Sequence, residues 1–91
     1  MTLHIVNQSP YSGCALSDCL DAIAEGDALI LIEDGVYAAA GQHGLPEKQT
    51  FCLTADANAR GVSIANSVEG IDEARWVALC TQHNPIVSWF K

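Results

Sequence analysis

Hydrophobic positions along this chain fall into two kinds of run. Residues 3–7, with Leu3, Ile5 and Val6, and residues 28–32, with Leu29, Ile30, Leu31 and Ile32, are short apolar stretches without clean polar alternation. The first is broken by Ser9, Pro10 and Gly13, and the second ends at Glu33, Asp34 and Gly35. Runs of that length bounded by turn residues predict strands buried on both faces of a parallel sheet. Between them, residues 14–24 place Leu16, Leu20 and Ile23 on one helical face, with Asp18, Asp21 and Glu25 elsewhere and Gly26 as the stop.

The same alternation continues to the end of the chain. A short alanine-rich helical turn is predicted after the second strand, then a surface loop over residues 41–49, with Gly44 and Pro46, and a third strand over residues 50–54. Asp56 is positioned to cap a short helix over residues 57–60 closed by Gly61, after which residues 62–65 read as a short strand. The last helix is predicted over residues 71–83, with Trp76, Leu79, Cys80 and His83 on one face and Pro85 ending it; residues 86–90 form a final β-prone segment. Strands alternating with helices at this spacing predict an α/β fold. Its architecture is a three-layer, open, mostly parallel sheet of four to five strands with helices on both faces, in a single domain spanning residues 1–91.

Size and charge narrow the function classes. A chain of 91 residues buries a modest share of its surface, and 49% apolar residues leave some for a partner, which favours a subunit over a free monomer. A net charge of −7 makes the chain repel a polyphosphate backbone, so direct nucleic-acid binding is not expected. No apolar run is long enough to cross a bilayer and no charged leader precedes one, so a cytoplasmic location is expected. In that reducing setting Cys14, Cys19, Cys52 and Cys80 are expected as thiols. The spacings of cysteine and histidine give no zinc pattern, and no glycine-rich phosphate loop occurs, so no metal or cofactor is assigned. His4 and His83 read as satisfied structural histidines, His43 as exposed, Asp34 as a turn acid and Tyr37 as an interface side chain. Gly35 is read as permitting a tight turn or the close approach of another chain.

Several segments share their order with one family. Leu3, His4, Val6, Asn7, Ser9 and Pro10, then Glu25 and Gly26, then Glu33, Asp34, Gly35, Tyr37, Ala38 and Ala39 resemble the DsrH/TusB family of small sulfur-relay subunits. The likeness continues through Asp56, Ala59, Arg60 and Gly61, through Ile71, Asp72, Trp76, Val77 and Leu79, and through Trp89, leaving out residues 41–51. The resemblance implies a heterohexamer with two homologous small subunits, one DsrE/TusD-like and one DsrF/TusC-like, two copies of each. It implies service in 2-thiolation of the tRNA wobble uridine, or, on the DsrH branch, in sulfur oxidation. A homo-oligomer is a further expectation for the chain alone.

The resemblance also singles out Cys19 as the catalytic position, since it falls where DsrH members keep a cysteine and TusB members typically lack one. A carrier thiolate attacks a partner's persulfide and becomes persulfidated itself. On a helical wheel Cys19 lies about sixty degrees from Leu16, at the edge of the apolar face, where it can open onto an interface. No Lys or Arg lies within a turn to activate it, and Cys14, nearer the helix start, is the better thiolate on physical grounds. A Cys14/Cys19 resolving pair, a buried structural Cys19 in a non-catalytic subunit, and a free-standing small-molecule-binding domain remain open at this point. Cys52 and Cys80 read as small buried hydrophobes.

Overall fold

The structure, a computed structural model, describes residues 2–11, 13–40, 45 and 49–89. Its strands are β1 (Leu3–Val6), β2 (Ala28–Leu31), β3 (Thr50–Leu53), β4 (Glu69–Ile71) and β5 (Ile86–Trp89). They form one sheet in the order β4-β3-β2-β1-β5, with every pairing parallel. The helices are α1 (Ala15–Ala22), a 3-10 helix (Glu33–Ala40), α2 (Thr54–Ala59) and α3 (Glu73–Gln82). The α/β class and the parallel sheet flanked by helices agree with the sequence-based expectation.

Handedness explains the layers. From β1 to β4 the chain steps in one direction, so right-handed crossovers put α1, the 3-10 helix and α2 on one face; the return from β4 to β5 puts α3 on the other. Alternate strand residues feed the two layers. Val6, Leu29, Leu31 and Cys52 pack with Ala15, Leu16, Cys19, Val36, Ala38, Ala39 and Ala57, while Leu3, Ile5, Ile30, Phe51, Leu53 and Ile71 pack with Leu79, Trp76 and Cys80. Strand β2 is buried at all four positions, as its uninterrupted apolar run requires.

Three details differ from the sequence-based reading. Residues 62–65 are irregular, and the fourth strand is Glu69–Ile71, whose Glu69 and Gly70 carry no strand signal. The helix after β3 starts at Thr54 with Leu53 at its N-cap, so Asp56 sits inside its first turn and turns its carboxylate to the Glu33 N–H instead, at 2.7 Å. Gly61, at φ +66°, closes α2 as expected, with Gly61 N–H donating to Asn58 O and Val62 N–H to Ala57 O. The last helix begins two residues later than predicted because Asp72 caps it, accepting the Arg75 N–H at 2.8 Å. His83 closes that helix through Nδ1, which donates to Leu79 O at 2.8 Å. The expected loop over residues 41–49 and the exposed His43 lie almost wholly outside the described residues.

One polar chain runs through the sheet. His4, 4% exposed, lies on the α1 side of β1. Its Nε2 is 3.0 Å from Asp27 Oδ2, and its Nδ1 accepts from Trp89 Nε1–H at 3.1 Å. An acceptor at Nδ1 requires the proton of a neutral ring to sit on Nε2, which then donates to Asp27. The two rings lie 23° from parallel with centroids 6.2 Å apart, the geometry of an edge-to-edge hydrogen bond. Asp27 also accepts the Thr2 and Ala24 N–H groups at 2.9 and 3.0 Å. The Thr2 N–H bond, then those from His4 and Ala24, hold its carboxyl down at about 2.

Two expectations follow. A Cβ at Gly35 would overlap the Val6 carbonyl oxygen, so the close approach permitted by this glycine is that of β1 in the same chain. Gly35→Ala is therefore expected to cost about 1–3 kcal/mol in urea unfolding. Because the folded-state value of Asp27 is depressed from 3.8 to about 2, its contribution is present above about 4 and is lost as pH falls toward 2. In Asp27→Asn the urea midpoint should be lower at neutral pH and should fall less steeply between pH 4 and pH 2 than in the wild type.

Candidate functional site

The carboxyl edge of the sheet gathers the turns that follow β1, β2 and β3, the place where open parallel sheets usually carry their sites. Chain geometry there is tight. Ile32 N–H donates to Val6 O at 3.0 Å and Gly35 N–H to Ile32 O at 2.8 Å, folding the turn after β2 onto the end of β1. Glu33 is held at φ 48°, a left-handed conformation costly for a residue with a side chain, and the 2.7 Å bond from its N–H to Asp56 pins it. Arg60 Nε donates to Asp34 Oδ1 at 2.9 Å and Nη1 to Asp56 O at 3.3 Å. Two motifs separated in sequence, one around Glu33 to Tyr37 and one around Asp56 to Gly61, thus form a single unit.

The surface of this edge is polar and aromatic. It offers an exposed acid at Glu33, a partly exposed Asp34–Arg60 ion pair, and the aromatic rings of Tyr37 and Tyr11, which are 36% and 76% exposed. Cys14, the exposed N-cap residue of α1, closes the turn after β1 and so belongs to this edge. Asp34 is an exposed acid in the turn, as read from the sequence, and also pairs with Arg60, while Tyr37 is at the surface.

Cys19 is at the middle of the buried face of α1, fully enclosed with Ala15 and Leu16, not at its edge. The small Ala15 lets the helix lie close to the sheet along the Ala15, Leu16 and Cys19 side, while Leu20 and Ile23 remain half-buried. Desolvation, with a smaller contribution from the Asp27 carboxylate, pushes the Cys19 thiol up to about 12. The thiol form therefore dominates at neutral pH. A groove of about 280 Å³ beside α1 is lined by Pro10, Gly13, Leu16, Ser17, Leu20 and Asp21, and Cys19 is not part of it.

Cys14, the N-cap residue of α1, is exposed; all four cysteines are free thiols. Cys52 is enclosed in β3, and burial, then the Asp56 charge, raises its thiol to about 11. Cys80 is half-buried beside Trp76 on α3. Among the described residues no group of three or more metal-ligating side chains converges, and no helix is long and apolar enough to cross a membrane.

Sequence reasoning found the two carboxyl-edge motifs and the structural roles of His4 and His83. It missed the partners: the pairing of Asp56 with the Glu33 N–H, and the link from Trp89 to His4 across 85 positions. No local pattern announces either bond.

Comparison with known proteins bears directly on these motifs. Residues 8–86 match the family model described as DsrH like protein. Protein TusB of Pectobacterium parmentieri is 39% identical over 96% of this chain and 99% of its own length. Proteins of the same name from Pectobacterium atrosepticum and an Escherichia coli O81 strain are 36% and 32% identical, each over 96% of this chain and 99% of their own. A match of that extent, carried through the Asp34–Arg60 unit and both layers of the sheet, means that the chain belongs to the DsrH/TusB family.

Proposed function

We propose that this chain is a subunit of a cytoplasmic sulfur-relay complex that serves 2-thiolation of the tRNA wobble uridine, and that its part is to complete the assembly, with Cys19 as a packing residue. Its partners are two homologous small subunits, DsrE/TusD-like and DsrF/TusC-like, in a heterohexamer. Family membership over the full sheet supports the relay, and relatives named TusB favour the tRNA branch. The observation that carries the structural role is the enclosure of Cys19, 0% exposed, under α1. With a net charge of −7, the chain leaves contact with tRNA to its partners.

The carrier role that the resemblance gives Cys19 makes definite demands. Its thiolate sulfur would attack the outer sulfur of a donor persulfide, forming a new S–S bond while the donor's S–S bond breaks and the donor leaves as thiolate. That needs an ionised sulfur in reach of another protein. A docked partner only covers more surface, so α1 would have to lift from the sheet for Cys19 to react. The presence of a cysteine at this position is the one observation on the side of a DsrH-type role in sulfur oxidation.

The test is sulfur flow through the reconstituted complex. Cys19→Ala and Cys19→Ser should leave 2-thiouridine formation within about twofold of wild type, whereas omitting the chain should abolish it. A persulfide mapped by mass spectrometry to Cys19, with loss of thiolation in both folded variants, would establish the carrier role instead. Native protein treated with a thiol alkylator at neutral pH should label at Cys14 first, with Cys19 and Cys52 reacting only in denaturant, as read by peptide mass spectrometry.

A further inference from the structure

The two edges of the sheet are built differently. Strand β4 is three residues long and presents Glu69 and Gly70, a charge and a glycine that discourage another strand from adding. Strand β5 has four residues, none charged, with Ile86 44% exposed and Ser88 exposed. Its register with β1 fixes which backbone groups are free. Leu3 N–H donates to Pro85 O, and Leu3 and Ile5 face Ile86 and Ser88, so Val87 and Trp89 bond toward β1 while Ile86 and Ser88 point their N–H and C=O groups outward. Among the described residues nothing bonds to those outward groups. The edge is also held in place, because Trp89 is tied to the buried His4.

Charge selects the occupant. Helix α1 packs against β5 and carries Asp18 and Asp21 with no basic residue, in a chain of net charge −7. A second copy would bring the same acids to the same edge; a basic segment meets them with opposite charge.

We propose that the outer edge of β5 is a docking strand for an extended segment of a basic partner subunit, which joins the sheet beside β5. Main-chain hydrogen bonds to Ile86 and Ser88 set the register, Ile86 supplies apolar contact, and the partner's Lys or Arg side chains meet the acids of α1. The inference rests on the relay-subunit reading, with the partner being one of the two companion subunits.

Ser88→Pro removes one outward N–H that makes no bond to β1, a change edge strands tolerate, and Ser88→Ala keeps that N–H as a control. Both are reconstituted with the two companion subunits, with circular dichroism and urea unfolding reporting the fold. Amide hydrogen exchange on the wild-type complex reads the same edge without any substitution. The expected result is slowed exchange at Ile86 and Ser88 in the complex, assembly weakened about tenfold by Ser88→Pro and unchanged by Ser88→Ala, and slower association as salt is raised. If the wild type assembles while these amides exchange as in the free chain, the docking strand is refuted and the relay reading stands. Association indifferent to salt refutes the basic partner. Protection of the same amides in the chain alone, with self-association, makes a second copy the occupant and overturns the proposal. Failure of the wild type to assemble with either companion refutes the relay reading itself.

Discussion

A buried imidazole has two nitrogens to satisfy, and the placement of His4 makes that requirement organise much of the molecule. One nitrogen is met by Asp27 at the turn that delivers β2 and the other by Trp89 at the end of the last strand. Leaving either unmet in this setting would cost about 1–3 kcal/mol, a sizeable fraction of what a small domain has in hand. The bond to Trp89 ties the last strand to the first, and the bonds at Asp27 fix the turn that returns the chain from α1 to β2. Because His4 must use Nδ1 as an acceptor, the arrangement selects one tautomer and with it one direction of the polar chain.

That arrangement also shapes the environment of Cys19. The thiol lies in the layer between α1 and the sheet, under the influence of the Asp27 carboxylate, and both burial and charge act against its ionisation. Persulfide chemistry depends on the opposite conditions. The same helix therefore satisfies packing at the expense of reactivity, whereas exposed polar groups and backbone strain lie at the carboxyl edge. There the left-handed Glu33, the Gly35 contact with β1 and the Asp34–Arg60 pair fix the shape of the surface.

A chain that covers both faces of a parallel sheet with only 91 residues has little left to protect its borders. Short length, charge and glycine guard β4, while β5 is apolar and open. Among the described residues, this leaves a negatively charged chain with one open strand edge.

The sequence by itself determined the α/β class, the order of strands and helices and the central place of the 28–32 run, because each follows from local hydrophobic period, turn residues and caps. It marked Gly35 and Gly61 for the same reason: backbone demands at these points exclude most other residues. Tertiary structure alone decided that Cys19 faces the middle of the α1 contact, since the wheel was centred on the leucines and the helix leans instead through the small Ala15. It alone decided that Asp56 holds Glu33 rather than capping α2, that the polar and glycine-bearing Glu69–Ile71 pairs as a strand, and that Trp89 meets His4. These bonds join groups far apart in the chain, and their energies exist only after the sheet has brought the partners within reach.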